Sequence, residues 1–158
     1  MMRKVFAAAL VLFLAAGATA FAQELRYRSH LADVGWTTYV SSGRMSGTTG
    51  QGRRMEAIQL QLTGAPAGSN IEINAHVQDV GWQGWRPSGQ VAGTTGQARR
   101  IEAIQVRLTG PIAQNFAVTY RVHMAGTGWG PWVTNGATAG TTGQARQIEA
   151  IQVLLHEN

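Results

Sequence analysis

The segment Gly93-Thr94-Thr95-Gly96-Gln97-Ala98-Arg99-Arg100-Ile101-Glu102-Ala103-Ile104-Gln105 recurs, with small changes, from Gly47 and again from Gly140. Each copy follows a Gly-Trp pair ending at Trp36, Trp82 or Trp129, so the chain advances 46 and then 47 positions between copies. Self-similarity at such a period means a repeat architecture in which no unit buries its apolar face alone. The chain therefore reads as three units, about 24–64, 70–110 and 116–157, folding together as one domain over 23–158.

Every unit opens on an alternating run. In the second copy Ile71, Ile73, Ala75 and Val77 share one parity, with Glu72, Asn74, His76 and Gln78 on the other. The first copy sets Leu25, Tyr27, Ser29 and Leu31 against Arg26, Arg28 and His30; the third sets Val118, Tyr120, Val122 and Met124 against Thr119, Arg121 and His123. Such period-two alternation predicts a half-buried β-strand. A glycine turn follows, then a short aromatic strand over Trp36 to Val40, Trp82 to Arg86 and Trp129 to Val133. Its second ring, Tyr39, Trp85 or Trp132, stands three residues after the first, an offset that places the two rings on opposite faces of an uninterrupted strand. Ser42-Gly43, Ser88-Gly89 and Asn135-Gly136 form the next turn, and Gly-Thr-Thr-Gly-Gln is a loop into a final strand carrying Ile58, Leu60 and Leu62 and their counterparts. No helical period follows residue 22, so the class is all-β: a pseudo-threefold closed repeat fold, β-prism-like, with a β-trefoil as the alternative.

Residues 1–22 fall outside that pattern. Arg3 and Lys4, the apolar run Val5 to Ala16, and Ala20-Phe21-Ala22 make a secretory signal cleaved near Ala22. The run is too short and Ala-rich for a membrane span, a retained anchor being the alternative, so the expected location is extracellular or periplasmic with no membrane span after cleavage. The chain has no cysteine, which excludes disulfides, thiol nucleophiles and Cys-based metal sites. Its four histidines show no local metal-ligand spacing. Beyond residue 22 stand 11 Arg, no Lys and 8 acids, a net charge near +3, which is not a nucleic-acid profile.

Glu56, Glu102 and Glu149 fall on the parity of the core Ile and Leu residues, with Arg53, Arg99 and Arg146 three residues earlier. A carboxylate on the core side needs a partner. Three readings follow: a structural Arg-Glu pair; a polar pocket in which Gln51, Gln97, Gln144 and the Arg and Glu residues hydrogen-bond a hydroxyl-rich ligand; or a bulge that turns Glu outward. His30, His76 and His123 lie on the wet face, either flanking a sugar site or stacked across strands on an aromatic ring. Trp36, Trp82 and Trp129 are expected as core anchors; Tyr39, Trp85 and Trp132 are the better binding candidates. No catalytic motif or cofactor site stands out, and threefold repetition of polar residues suits multivalent binding better than one asymmetric catalytic constellation.

"HVQDVGWQGW" and "GTTGQARRIEAIQVRLTG", with their counterparts, resemble the ChW family, a bacterial hydrophobic repeat with a characteristic tryptophan, over nearly all of Leu25 to Leu155. The resemblance implies an exported or surface protein with a role in adhesion, glycan binding or protein contact. With Gly126 in place of the turn Asp and Tyr39 in place of the second Trp, the three sites need not be equivalent. The expected function is a secreted, non-catalytic, lectin-like module whose partner is a glycan or cell-surface polysaccharide, the alternative being a protein-interaction, adhesion or envelope structural module.

Overall fold

The structure, a computed structural model, describes residues 23–158; the expected signal segment lies outside the described residues. The first repeat contributes β1 (Glu24–Leu31), β2 (Gly35–Trp36), β3 (Val40–Ser41), β4 (Met45–Gly47) and β5 (Met55–Thr63). The second contributes β6 (Asn70–Val77), β7 (Gly81–Trp82), β8 (Arg86–Pro87), β9 (Val91–Gly93) and β10 (Ile101–Thr109). The third contributes β11 (Phe116–Met124), β12 (Gly128–Trp129), β13 (Val133–Thr134), β14 (Ala139–Gly140) and β15 (Ile148–Glu157). The one helical element among the described residues is a single 3-10 turn, Pro111–Gln114, in the second linker.

These strands form three five-stranded sheets, which do not close into a barrel. The two long strands of each repeat pair antiparallel, as in Tyr27 opposite Leu60 and Val122 opposite Ile151. Alternation decides the rest: Leu25, Tyr27, Leu31, Ile58 and Leu60, and their equivalents from the other sheets, meet in one shared core. Three sheets around a common interior form a prism-like fold. Ser29 is the polar intruder on the inward parity of β1, and its hydroxyl is satisfied at 2.5 Å by that of Ser46, also buried.

Each sheet is completed by a neighbour. β9 of the second repeat pairs with β5 of the first, β14 of the third with β10 of the second, and β4 of the first with β15 of the third. The exchange runs once around the molecule and ties the first repeat to the last. Glycine is required where these donated strands end. A Cβ added at Gly47, Gly93 or Gly140 would meet the carbonyl oxygen of Glu149, Glu56 or Glu102 at 2.3, 2.3 or 2.5 Å. The Gly of each Gly-Thr-Thr-Gly loop therefore sits backbone against backbone on the neighbouring sheet. The following threonine locks the contact: the N–H of Thr48, Thr94 and Thr141 donates to the same three carbonyls at 3.0, 2.9 and 3.1 Å.

Two irregularities per repeat reset which face a side chain occupies. In β5 the register passes from Met55 opposite Leu31 to Ala57 opposite His30, so Glu56 is the extra residue of a β-bulge, and Glu102 and Glu149 are the same. The parity of these glutamates is thus not the core parity; of the three sequence readings, the bulge is the one formed. The aromatic strand also departs from expectation. Trp36 lies opposite His30 and Val40 opposite Tyr27, four residues against three, and the strand is interrupted at residues 37–39. That extra residue brings both rings of a pair to one face.

Candidate functional site

The outer face of each sheet carries the same layered group of side chains. At the bottom is the bulged glutamate, 5% exposed for Glu56 and Glu149 and 6% for Glu102. A carboxylate so far from water needs donors. Glu56 Oε1 lies 3.1 Å from His30 Nδ1 and its Oε2 accepts from Arg54 Nε at 3.0 Å; Glu102 holds His76 at 3.0 Å and Arg100 at 2.9 Å. In the third repeat Gln147 replaces the arginine and donates to Glu149 Oε2 at 3.2 Å. There His123 Nδ1 stands 3.3 Å from Glu149 Oε1 in poor alignment and makes no hydrogen bond.

The predicted pairing of Arg53, Arg99 and Arg146 with these glutamates is not formed. With Glu turned outward by the bulge, the arginine two residues before it shares its face and the one three before does not. Arg53 Nη1 instead donates to the Ala32 carbonyl at 3.3 Å and Arg99 Nη1 to that of Gln78 at 3.0 Å, bracing the Asp-Val-Gly turns. Arg146 Nη1 lies beside Gly126 in the corresponding turn. Gln51, Gln97 and Gln144 are exposed on their loops, Gln51 accepting from Arg53 Nε at 3.2 Å. The convergent Gln-Arg-Glu pocket is therefore not assembled.

The histidines cover the glutamates and meet the tryptophans edge to face, with ring centroids 5.3, 5.2 and 5.4 Å apart for His30–Trp36, His76–Trp82 and His123–Trp129. No tryptophan belongs to the core cluster, so Trp36, Trp82 and Trp129 are surface residues fixed from below and not the core anchors expected. The expectation failed because each of these residues pairs with an outward-facing histidine.

Above the tryptophans lies a residue that the sequence reading passed over. Arg28 Cζ is 4.5 Å from the Trp36 ring and 4.8 Å from Tyr39; Arg121 Cζ is 4.5 Å from Trp129 and 4.7 Å from Trp132. Each guanidinium thus spans an aromatic pair in a cation–π contact. Both residues stand two before the repeat histidine on the outward parity, and that spacing was the available signal. The second repeat has Asn74 there, and Trp82 is 38% exposed. Its other ring, Trp85, is covered by Arg107 of the adjacent strand at 3.8 Å. Trp132 is 43% exposed. A cavity of about 470 Å³ lined by Gln23, Pro66, Pro111, Phe116 and Asn158 shares no residue with these aromatic groups.

Three interlocked copies of one strand pattern, each presenting a braced Trp-His-Glu group on its outer face, define an all-β repeat module. The chain belongs to the Clostridial hydrophobic W (ChW) family, whose model matches residues 30–64, 76–110 and 123–157. Each match begins at the histidine of the layered group and ends within one residue of the close of its repeat's last strand. No curated protein and no solved structure matches the chain. Among the described residues, no helix is long and apolar enough to cross a membrane.

Proposed function

We propose that the protein is an exported, non-catalytic binding module that takes carbohydrate on the outer faces of its three sheets. The observation that carries this reading is the threefold set of surface tryptophans, with Trp82 and Trp132 well exposed on a rigid polar base. An indole face packs the C–H patch of a sugar ring, while neighbouring amide, imidazole and guanidinium groups take hydroxyls. Three related sites on one rigid body give avidity for a polymeric ligand from individually weak contacts.

The test is a glycan-array screen of residues 23–158 beside a Trp82→Ala/Trp132→Ala variant. The expected outcome is a sugar signal in the parent and its loss in a variant that keeps the parent's melting curve. A folded parent that binds no glycan refutes the reading. A protein partner is the second reading, favoured by the exposed Val34 and Val80 at the turn tips, 55% and 53% accessible. Capture of a stoichiometric protein, abolished by Val34→Ser/Val80→Ser, would establish it.

A further inference from the structure

The geometry points to an acidic substituent, a carboxylate or sulfate on a sugar, as the group recognised by Arg28 in the first repeat and Arg121 in the third, with the second repeat restricted to neutral sugar. This rests on the carbohydrate reading and specifies its ligand class. Both guanidiniums are held at two points. The Nε of Arg28 donates to Gln59 Oε1 at 2.9 Å, and Gln59 is itself oriented by donating to the Gly89 carbonyl at 2.7 Å. The Nε of Arg121 donates to Gln152 Oε1 at 2.7 Å, and Gln152 to the Gly43 carbonyl at 3.3 Å. The Cζ lies within 5 Å of both ring centroids of the aromatic pair in each case.

What this leaves over is the Nη edge. Among the described residues neither arginine is in an ion pair, whereas Arg26 and Arg107, the other arginines over an aromatic ring, each have a carboxylate within 4.0 Å. A guanidinium with Nε committed and its plane fixed presents Nη donors matched to an anionic oxygen pair, pre-organised beside a surface for the sugar ring. The second repeat lacks this. Asn74 donates to Gln105 Oε1 at 3.3 Å and accepts from the Gly84 N–H at 2.9 Å, and Arg107, on Trp85, is neutralised by Glu72 at 2.8 Å.

The experiment is titration calorimetry of residues 23–158 with oligogalacturonate, its methyl ester, and a kappa-carrageenan oligosaccharide, repeated on Arg28→Lys/Arg121→Lys. The variant keeps the net charge but loses the planar fork. The acid should bind at least about tenfold more tightly than the ester, as a charge-assisted hydrogen bond implies, and the Lys variant should erase that preference. Preference for the carrageenan probe, which carries sulfate and no carboxylate, over oligogalacturonate would assign the group as sulfate, and the reverse as carboxylate. Equal binding of acid, sulfate and ester overturns the inference while leaving carbohydrate binding intact. An acid preference that survives in the Lys variant overturns it too, since bulk charge then suffices. No binding of any of the three, with no hit on the glycan array, removes the carbohydrate reading and this inference with it.

Discussion

A buried carboxylate is stable only while its donors stay in place, and the three repeats differ in how many they supply. Glu102 has both His76 and Arg100, so His76→Ala leaves one buried oxygen without its partner. That change should destabilise the protein by about 1–3 kcal/mol in urea unfolding. His123→Ala should cost less on the hydrogen-bond side, because His123 Nδ1 makes no hydrogen bond to lose. Tyr27 is a residue whose protonation is coupled to folding. Its hydroxyl donates to the Arg44 carbonyl and accepts from the Val153 N–H at 3.0 Å, and burial pushes its pKa up to about 12 from 10.0. The folded-state pKa is raised, so the stabilisation is fully present below pH 10 and is lost as pH rises from about 10 to about 12. A shift of that size corresponds to about 2–3 kcal/mol. In melting curves across that range, Tyr27→Phe should flatten part of the alkaline decline, though starting from a lower stability.

Among the elements, the donated strands and the bulges they dock on carry the specificity of the fold. Gly93→Ala places a methyl 2.3 Å from the Glu56 carbonyl oxygen, on backbone that cannot yield without opening the β5–β9 pairing. Gly89→Ala, at a similar φ of +85° but with nothing within 4 Å, carries the left-handed backbone penalty alone. The first should cost about 3 kcal/mol or more and the second about 1–2 kcal/mol by chemical denaturation. The long strands, their inward residues and the glycine turns were legible in the sequence because alternation and turn chemistry are local. The face of Tyr39 was not, and that of Glu56 was legible only as one of three readings. One extra residue in a strand inverts every later parity, and no residue type marks where it is inserted. The His-Trp stacking was foreseen as one of two readings, since both residues recur at fixed spacing. Arg28 and Arg121 stand on the outward parity in the sequence but not among its binding candidates, because their importance depends on the ring pair brought to their face by the interrupted strand.

At the scale of the whole molecule, the pairing of β4 with β15 joins segments about 100 residues apart, and nothing local announces it. A fragment of residues 70–158 lacks both β4 and β5, leaving β9 unpaired and β15 paired on its β11 side alone. It should show no cooperative melt as a monomer by circular dichroism and gel filtration. Opening the chain elsewhere is a gentler change. Gln23 and Asn158 line the same cavity, so a permutant with these ends linked and new ends in the 65–69 linker should keep the parent's cooperative unfolding. The cyclic exchange also bears on how such chains grow. A fourth copy inserted into the ring would have to break the seam between first and last and widen a core already filled by three sheets. Two copies would still exchange one strand each, but would lack the third sheet that walls the shared core. Duplication of a single repeat would thus disturb a closed ring, whereas duplication of all three together would leave its seam intact.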